Sequence, residues 1–233
     1  GVGEGGDPGR GWGVGGDTLS LPPPPMHLTS TSLADGQRFD PAFVFCQPSA
    51  EGHATDGGNR SPHLAWGDAP GGTRSFAVVV RDPDVPADAS DANTKGKTIP
   101  ADAARVDFFH WLLVDVPASV SEITEGVASD GVTAGGKAPG RTVLGLEGTN
   151  TFTDFLKGSP REGTYGRYDG PCPPWNDERL HHYHVTVYAL DVPTLGLPED
   201  GSFTGADVLA AIEGHVLGQA EIVGTYSTNP DVR

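Results

Sequence analysis

Two acidic residues follow directly after one of the most apolar segments of the chain. Residues 75–81 form a β-branched run that is typical of a buried strand, and Asp82 and Asp84 come next, on either side of Pro83. Because proline fixes its own φ angle, Pro83 and Pro86 would hold both carboxylates in place at low entropic cost. Such carboxylates can attract an amine or orient a histidine. The alternative is an ordinary turn, and in both cases we expect the two prolines to end the strand.

A histidine interrupts the next apolar segment. Residues 108–116 predict a second buried strand, in which alternation places His110 on the same face as Phe108, Leu112 and Val114. An imidazole in such a position can bind a ligand, because it donates or accepts hydrogen bonds and titrates near neutral pH. A core histidine that is satisfied by a neighbouring group is the alternative.

Three histidines crowd the start of a third strand, predicted over residues 181–190. Alternation places His181 and Tyr183 on one face and His182 and His184 on the other. One face therefore offers only a histidine and a tyrosine, and the sequence places no third ligand beside the other pair. We expect neither a metal site nor a cofactor.

A proline-rich loop, residues 170–174, precedes this third strand. Such a rigid loop can present backbone groups to a ligand with little reorganisation, and Gly170 permits close approach of another group. The alternative is an ordinary surface loop.

The same loop holds one of only two cysteines, Cys46 and Cys172. They could form one bridge or remain two buried thiols. Thiols are slightly favoured, because a domain of about 200 residues does not need a disulfide to be stable.

Glycine and proline are concentrated at the start of the chain. Of 233 residues, 34 are Gly and 21 are Pro, and residues 1–25 alone contain 14 of these 55. This predicts a disordered tail over 1–25 and a single folded domain over 26–233. A Gly-x-Gly-x-x-Gly match at residues 11–16 lies in the tail, without a preceding strand, and does not indicate nucleotide binding.

The folded part is predicted to be rich in β-structure with long loops. A last strand is expected over residues 220–226. One helix is expected to start at the capping box of residues 204–207, to continue through Val216 and to stop at Gly218.

The net charge excludes several function classes. With 15 Lys and Arg against 31 Asp and Glu, the chain carries a net charge of −16. Such a surface repels phosphate backbones and anionic lipid surfaces, so we expect no nucleic-acid partner. No stretch reaches the 18 apolar residues of a membrane span.

Several segments, taken together and in this order, resemble the phosphatidylethanolamine-binding protein family, also called Raf-kinase-inhibitor-like proteins, in its prokaryotic branch. The similar text spans roughly residues 27–228. The matching segments are Leu28-Thr29-Ser30, Ser61-Pro62-His63-Leu64-Ala65-Trp66, Ser75-Phe76-Ala77-Val78, Asp82-Pro83-Asp84-Val85-Pro86, His110-Trp111, Val114-Asp115-Val116-Pro117-Ala118, Gly170-Pro171-Cys172-Pro173-Pro174, His181-His182-Tyr183, Val187-Tyr188-Ala189-Leu190 and Gly224-Thr225-Tyr226.

The resemblance implies a mostly β fold, with a large central antiparallel sheet packed against a smaller sheet, and a C-terminal helix. It also implies a small anion pocket at one end of the large sheet. The family's pocket residues carry over onto Asp82, Asp84, Pro86, His110, Gly170, Pro171, His181 and Tyr183.

These residue types suit a zwitterionic head group. His110, His181 and Tyr183 can donate hydrogen bonds to a phosphate or carboxylate. Asp82 can orient a histidine, and Asp84 is expected to tie its loop to backbone N–H groups. The 23 residues between Pro86 and His110 exceed the link in simple prokaryotic members, so an insert over residues 87–107 could cover the pocket mouth.

The resulting expectation is non-catalytic binding of a small anionic or phosphorylated ligand such as phosphate, phosphoethanolamine or a carboxylate. Two alternatives stay open: an inhibitor of a kinase or serine protease acting on a protein partner, and an enzyme that uses the Asp and His side chains. The resemblance also suggests a homodimer. We expect a cytoplasmic protein, with a periplasmic or secreted location as the alternative if a signal peptide has been removed.

Overall fold

Long apolar strands form the centre of the molecule. The computed structural model describes residue 22 and residues 24–233, so the predicted tail and its glycine motif lie almost wholly outside the described residues. The strands are β1 (His27–Thr29), β2 (Cys46–Pro48), β3 (Ala54–Asp56), β4 (Leu64–Gly67), β5 (Ser75–Pro86), β6 (Arg105–Pro117), β7 (Glu122–Ile123), β8 (Gly140–Arg141), β9 (Leu146–Glu147), β10 (His181–Leu190) and β11 (Val216–Tyr226). The helices are α1 (Phe152–Phe155) and α2 (Gly205–Ile212), with one 3-10 turn at Pro41–Phe43.

The strands form one large and two small antiparallel sheets. The large sheet has six strands in the order β11-β10-β5-β6-β9-β8, and a three-stranded sheet has the order β1-β4-β7. Strands β2 and β3 form a separate pair. This arrangement confirms the predicted fold class.

Both faces of the large sheet are buried, which explains why its central strands are continuously apolar. On one face, Val78, Trp111 and Tyr183 belong to a cluster that also contains Leu64 and Trp66 of the small sheet. On the other face a second cluster includes apolar residues of helix α2. The two layers fix β5, β6 and β10, the three strands that carry most of the predicted site residues.

Strand β5 continues past Pro83, contrary to expectation, and ends at Pro86. Asp82 pairs with Phe108 and Val85 pairs with Val106, so Pro83 and its neighbour Asp84 together face a single residue of β6. This is a β-bulge, in which a residue without an N–H group interrupts no ladder bond. The strand therefore continues to Pro86.

A second bulge places His110. Trp111 pairs with Val80 while Phe109 pairs with Arg81, so His110 is an extra residue in β6. Such bulges redirect side chains and are common beside functional sites.

This second bulge also corrects the predicted strand face. Leu112 and Val114 pack in the same cluster as Phe109, whereas alternation had placed them with His110. Phe108 does share the site with His110, because both line the same cavity. Simple alternation fails here because the bulge adds one residue to the period of two.

The C-terminal helix is present but shorter than expected. Its capping box is formed, because the Thr204 N–H donates to the Asp207 carboxylate at 2.8 Å, yet the helix ends at Ile212. Gly214 has a φ of +79°, and Val216 begins strand β11, where it pairs with Leu190. Pairing with the sheet therefore prevails over helical spacing.

The two cysteines form a disulfide, so the slight preference for thiols was wrong. Cys46 and Cys172 lie 126 residues apart in sequence and have Cα atoms 4.9 Å apart. The physical reason is local: the Pro171 carbonyl accepts hydrogen bonds from the N–H groups of Phe45 and Cys46, and this brings the loop against β2. In the described part of the chain, no helix is long and apolar enough to cross a bilayer.

Candidate functional site

A small cavity opens at the end of the large sheet where the two bulges lie. Its volume is about 30 Å³. Its polar floor is formed by Asp82 of β5, His110 of β6 and Tyr183 of β10. The remaining lining is mostly apolar and consists of Val85, Pro86, Ala89, Ala92, Phe108, Phe152, Phe155, Cys172, Pro173 and Pro174.

His181 lies beneath this floor, fully buried between two carboxylates. Its Nδ1 is 2.6 Å from Asp82 Oδ2 and its Nε2 is 2.8 Å from Asp177 Oδ2. Because each carboxylate can only accept, the ring donates from both nitrogens as an imidazolium. Burial alone would lower the pKa of His181, but the hydrogen bonds to Asp177 and Asp82 and their charges raise it to about 9.

An arginine closes this row of charges. Arg105 Nη2 donates to Asp177 Oδ1 at 3.0 Å, and its Nη1 donates to the other carboxylate oxygen. Burial would raise the pKa of Asp177, but hydrogen bonds from His181 and Arg105 hold it below its usual range. The row Asp82–His181–Asp177–Arg105 alternates in sign, so the charge of Asp82 is already balanced.

His110 is held by the loop that follows helix α1. Its Nδ1 is 2.7 Å from the backbone carbonyl of Asp169, and its own carbonyl accepts from the Asp169 N–H at 3.0 Å. Phe152 and Tyr183 meet the imidazole edge to face, with ring centroids 5.5 and 5.3 Å away. Burial lowers the pKa of His110, and the charge of Asp82 and the carbonyls of Asp169 and Gly170 offset this only in part.

Tyr183 provides an unsatisfied hydroxyl. The side chain is fully buried, lines the cavity and has no hydrogen-bond partner for its hydroxyl among the described residues. Burial raises the pKa of Tyr183 well above its ordinary value, and the charge and closeness of the Asp82 carboxylate raise it further, although the two groups do not meet in hydrogen-bond geometry. A buried hydroxyl without a partner costs free energy unless a ligand or water completes it.

Asp84 organises the loop, as expected, and does not line the cavity. Its Oδ2 accepts from the His182 N–H at 2.8 Å and from His182 Nδ1 at 2.9 Å, while Arg179 Nε donates to its Oδ1 at 2.8 Å. Burial would raise the pKa of Asp84, but these hydrogen bonds lower it. Its own N–H donates to Asp82 Oδ1 at 2.7 Å, which fixes the cavity carboxylate.

The first two residues of the proline-rich loop act from behind the cavity wall. Gly170 N–H donates to Asn59 Oδ1 at 2.8 Å, and a Cβ on this glycine would lie 2.1 Å from the carbonyl oxygen of Phe43. The Pro171 carbonyl accepts hydrogen bonds from the N–H groups of Phe45 and Cys46, at the start of β2. Pro173 and Pro174 form the wall itself.

The structure therefore brings together four of the eight predicted residues, Asp82, Pro86, His110 and Tyr183, in the cavity lining. Sequence reasoning missed Asp169, Asp177 and Arg105. Asp177 stands four residues before His181, but within a loop, where this spacing indicates nothing. Asp169 acts on His110 through its backbone, which no residue type reveals.

Comparisons with known proteins decide the family. The family model described as "Phosphatidylethanolamine-binding protein" matches residues 29–227. The chain belongs to this family. It is 32% identical over 202 residues to the "UPF0098 protein YbhB" of Escherichia coli K12, covering 87% of this chain and all of that protein. It is 30% identical over 190 residues to a "UPF0098 protein" of Chlamydia pneumoniae, covering 82% of this chain and 97% of that protein.

Solved structures agree with this membership. The crystal structure of E. coli YbcL, described as a new member of the mammalian PEBP family, has a TM-score of 0.60 and 29% identity, and covers 87% of this chain and 98% of that one. The CT736 homologue from Chlamydia trachomatis has a TM-score of 0.55 and 26% identity, and covers 87% of this chain and 97% of that one. The chain is thus a prokaryotic member of the phosphatidylethanolamine-binding protein family.

Proposed function

We propose that this protein binds, without catalysis, the polar head group of a small ligand in the cavity above Asp82, His110 and Tyr183. The observation that carries the proposal is the buried Tyr183 hydroxyl, which lines the cavity and has no partner among the described residues. A phosphoryl or carboxylate oxygen would accept its hydrogen bond. The ligands that fit this description are phosphate, phosphoethanolamine and simple carboxylates.

The apolar wall supports a ligand that is more than its head group. Phe108, Phe152 and Pro173 surround the polar floor, and Phe155, at the mouth, is 39% exposed. Carbon atoms attached to the head group would contact these rings and lose water. Both nitrogens of His181 are occupied by carboxylates, so this ring has no free nitrogen for acid–base exchange with a ligand.

Phosphoethanolamine titration followed by NMR tests this function. Ring signals of His110 are expected to shift with a saturable dependence on ligand, whereas those of His184, which is partly exposed and paired with Glu221, should not. Absence of any His110 shift with phosphoethanolamine, inorganic phosphate and acetate would overturn the proposal.

A matched pair of variants sharpens this test. Tyr183→Phe removes only the hydroxyl and is expected to weaken phosphoethanolamine binding about tenfold, the value of one hydrogen bond in a buried site. Tyr226→Phe is the control, because its hydroxyl is also buried without a partner but lies outside the cavity lining. Equal affinities of the two variants would remove Tyr183 from the site.

We further propose that the protein works in an oxidising compartment, the alternative that the sequence left open. The Cys46–Cys172 disulfide supports this, because disulfides persist outside the reducing cytosol. Thiol labelling after acid trapping in the native cells tests it. Labelled cysteines would favour the cytoplasm instead.

A further inference from the structure

The imidazole of His110 can be assigned a tautomer from its contacts. Its Nδ1 lies 2.7 Å from the carbonyl oxygen of Asp169, an atom that can only accept a hydrogen bond. Nδ1 therefore carries the ring proton. In the neutral ring, Nε2 is then left with a lone pair and acts as an acceptor.

Asp169 cannot easily release this hydrogen bond, because its side chain is fixed by three donors. Its Oδ1 accepts from Asn59 at 2.9 Å and from Lys137 Nζ at 2.8 Å, and its Oδ2 accepts from Asn150 at 2.8 Å. The side chain of Asp169 is 1% exposed. The tautomer of His110 is thus built into the fold.

No protein group completes the other ring nitrogen. Nε2 of His110 has no hydrogen-bond partner in the described part of the chain, and it is not one of the unpartnered atoms enclosed by protein. Because His110 lines the cavity, Nε2 is the nitrogen left to meet a ligand.

The charged and titratable groups around His110 come from two strands and two loops. Strand β5 contributes Asp82, strand β10 contributes His181 and Tyr183, and the loop before β10 contributes Asp169, with Lys137 paired behind it. His181 has no free N–H for the cavity, since both nitrogens face carboxylates.

The polar floor consequently offers more acceptors than donors. Asp82 accepts from His181 through Oδ2 and from the Asp84 N–H through Oδ1, and as a carboxylate it can only accept further bonds. With His110 neutral, the Tyr183 hydroxyl is the one donor among the side chains that the structure describes in the cavity lining. A fully ionised phosphate would meet one donor and two acceptors, which repel it.

We propose that the cavity binds its ligand together with one proton, which lies between Nε2 of His110 and the ligand. This inference rests on the proposed function and specifies its substrate class: a head group that carries its own donor, such as the monoanion of a phosphate ester, or a dianion that takes a proton from solvent as it binds. In the second case the proton comes from water or buffer, and no other bond is made or broken.

The electrostatics around His110 agree with uptake of a proton on binding. Burial lowers the pKa of His110 and so favours the neutral ring in the protein without ligand. An anion placed against Nε2 would reverse this preference, because an opposite charge favours the imidazolium.

The experiment is calorimetry of the full chain with methyl phosphate, a probe without an amine. Its second pKa is near 6, so between pH 7.5 and 8.5 it is a dianion. Affinity is expected to fall about tenfold over this single pH unit. Titrations in two buffers of different ionisation enthalpy should show uptake of about one proton per ligand bound.

Two variants and one spectrum complete the test. His110→Gln, whose amide can donate at every pH, is expected to lose most of the pH dependence, and His184→Gln should retain it. Ring ¹⁵N signals of the ligand-free protein at pH 7.5 should show a neutral His110 protonated at Nδ1, a result that does not depend on any variant folding.

The outcomes separate the two proposals. Methyl phosphate that fails to bind from pH 5.5 to 8.5, together with silent His110 signals in phosphoethanolamine, overturns the binding function and the proton uptake with it. Binding with constant affinity and without proton uptake would support the binding function and overturn the proposal that a proton is bound with the ligand. Protonation of His110 at Nε2 in the ligand-free protein would also overturn the proposal that a proton is bound with the ligand.

Discussion

His181 stabilises the fold as a cation, and this makes stability depend on pH. Its pKa is about 9 in the folded protein, against an ordinary value of 6.5. A raised pKa means that the stabilisation is fully present below pH 6.5 and is lost as pH rises through 9. We expect the free energy of unfolding to fall by about 2 kcal/mol between pH 7 and 9.5, measured by urea denaturation.

The matched variants for this prediction lie on the same strand. His181→Gln cannot become charged, so its free energy of unfolding should be lower than that of the wild type at pH 7 and should change little up to pH 9.5. The free energy of unfolding of His184→Gln, which is altered at a partly exposed site beside Glu221, should fall with pH as that of the wild type does. An equally steep fall in His181→Gln would assign the pH dependence to other groups. Direct titration of the His181 ring signals checks the pKa without a variant.

At the level of single elements, the strong strands could be predicted and their irregularities could not. The apolar runs in the first half of β5 and the second half of β10 were identified because both faces of a central strand are buried. The bulges at Pro83–Asp84 and at His110 were missed, because they arise from register with the partner strand. The helix end was missed for the same reason.

The site shows the same division. Asp82, His110 and Tyr183 were predicted because their types stand out against apolar strands, and the family resemblance linked them. The sequence predicted that the insert over residues 87–107 could cover the pocket mouth, and Ala89 and Ala92 of this insert do line the cavity. Which of its residues would do so could not be predicted, since these small side chains have no chemistry of their own and gain a role only from where the insert folds.

The buried side-chain amide of Asn176 binds the insert over residues 87–107 at several points. Asn176 Nδ2 donates to the carbonyls of Asp91 at 2.8 Å and Lys97 at 3.1 Å, and its Oδ1 accepts from the Asn93 N–H at 2.9 Å. Asn176→Ala removes these bonds, so amide exchange over residues 89–98 should accelerate about tenfold, measured by hydrogen–deuterium exchange.

Asn229→Ala is the control for the insert. Its amide donates to the Asp177 carbonyl at 2.9 Å and holds the same segment without touching the insert. Exchange over residues 89–98 should therefore stay at the wild-type rate in this variant. Unchanged exchange in Asn176→Ala would show that Arg105 and the backbone bonds hold the insert without the amide.

At the scale of the whole molecule, the disulfide joins two parts of the chain that are far apart in sequence. Cys46 lies in the β2–β3 pair and Cys172 in the cavity wall, with a sequence separation of 126 residues. The bridge thus links the two-stranded sheet of β2 and β3 to the site. Together with the hydrogen bonds to the Pro171 carbonyl, it closes one side of the cavity.

Loss of this bridge should destabilise the whole domain and leave the cavity floor intact. Closing a loop of this length restricts the unfolded chain by an amount worth about 4–5 kcal/mol in the entropic model. We expect a Cys46→Ser, Cys172→Ser double variant to unfold at lower urea by that free energy, with native ring signals for His110 and His181. Floor residues are positioned by the pairing of β5, β6 and β10, although the bridge packs in the same apolar cluster as Phe108 of β6 and Val85 of β5. A double variant as stable as the wild type, or two reactive thiols in the native protein, would contradict the disulfide; lost His110 signals would show that the bridge also holds the floor.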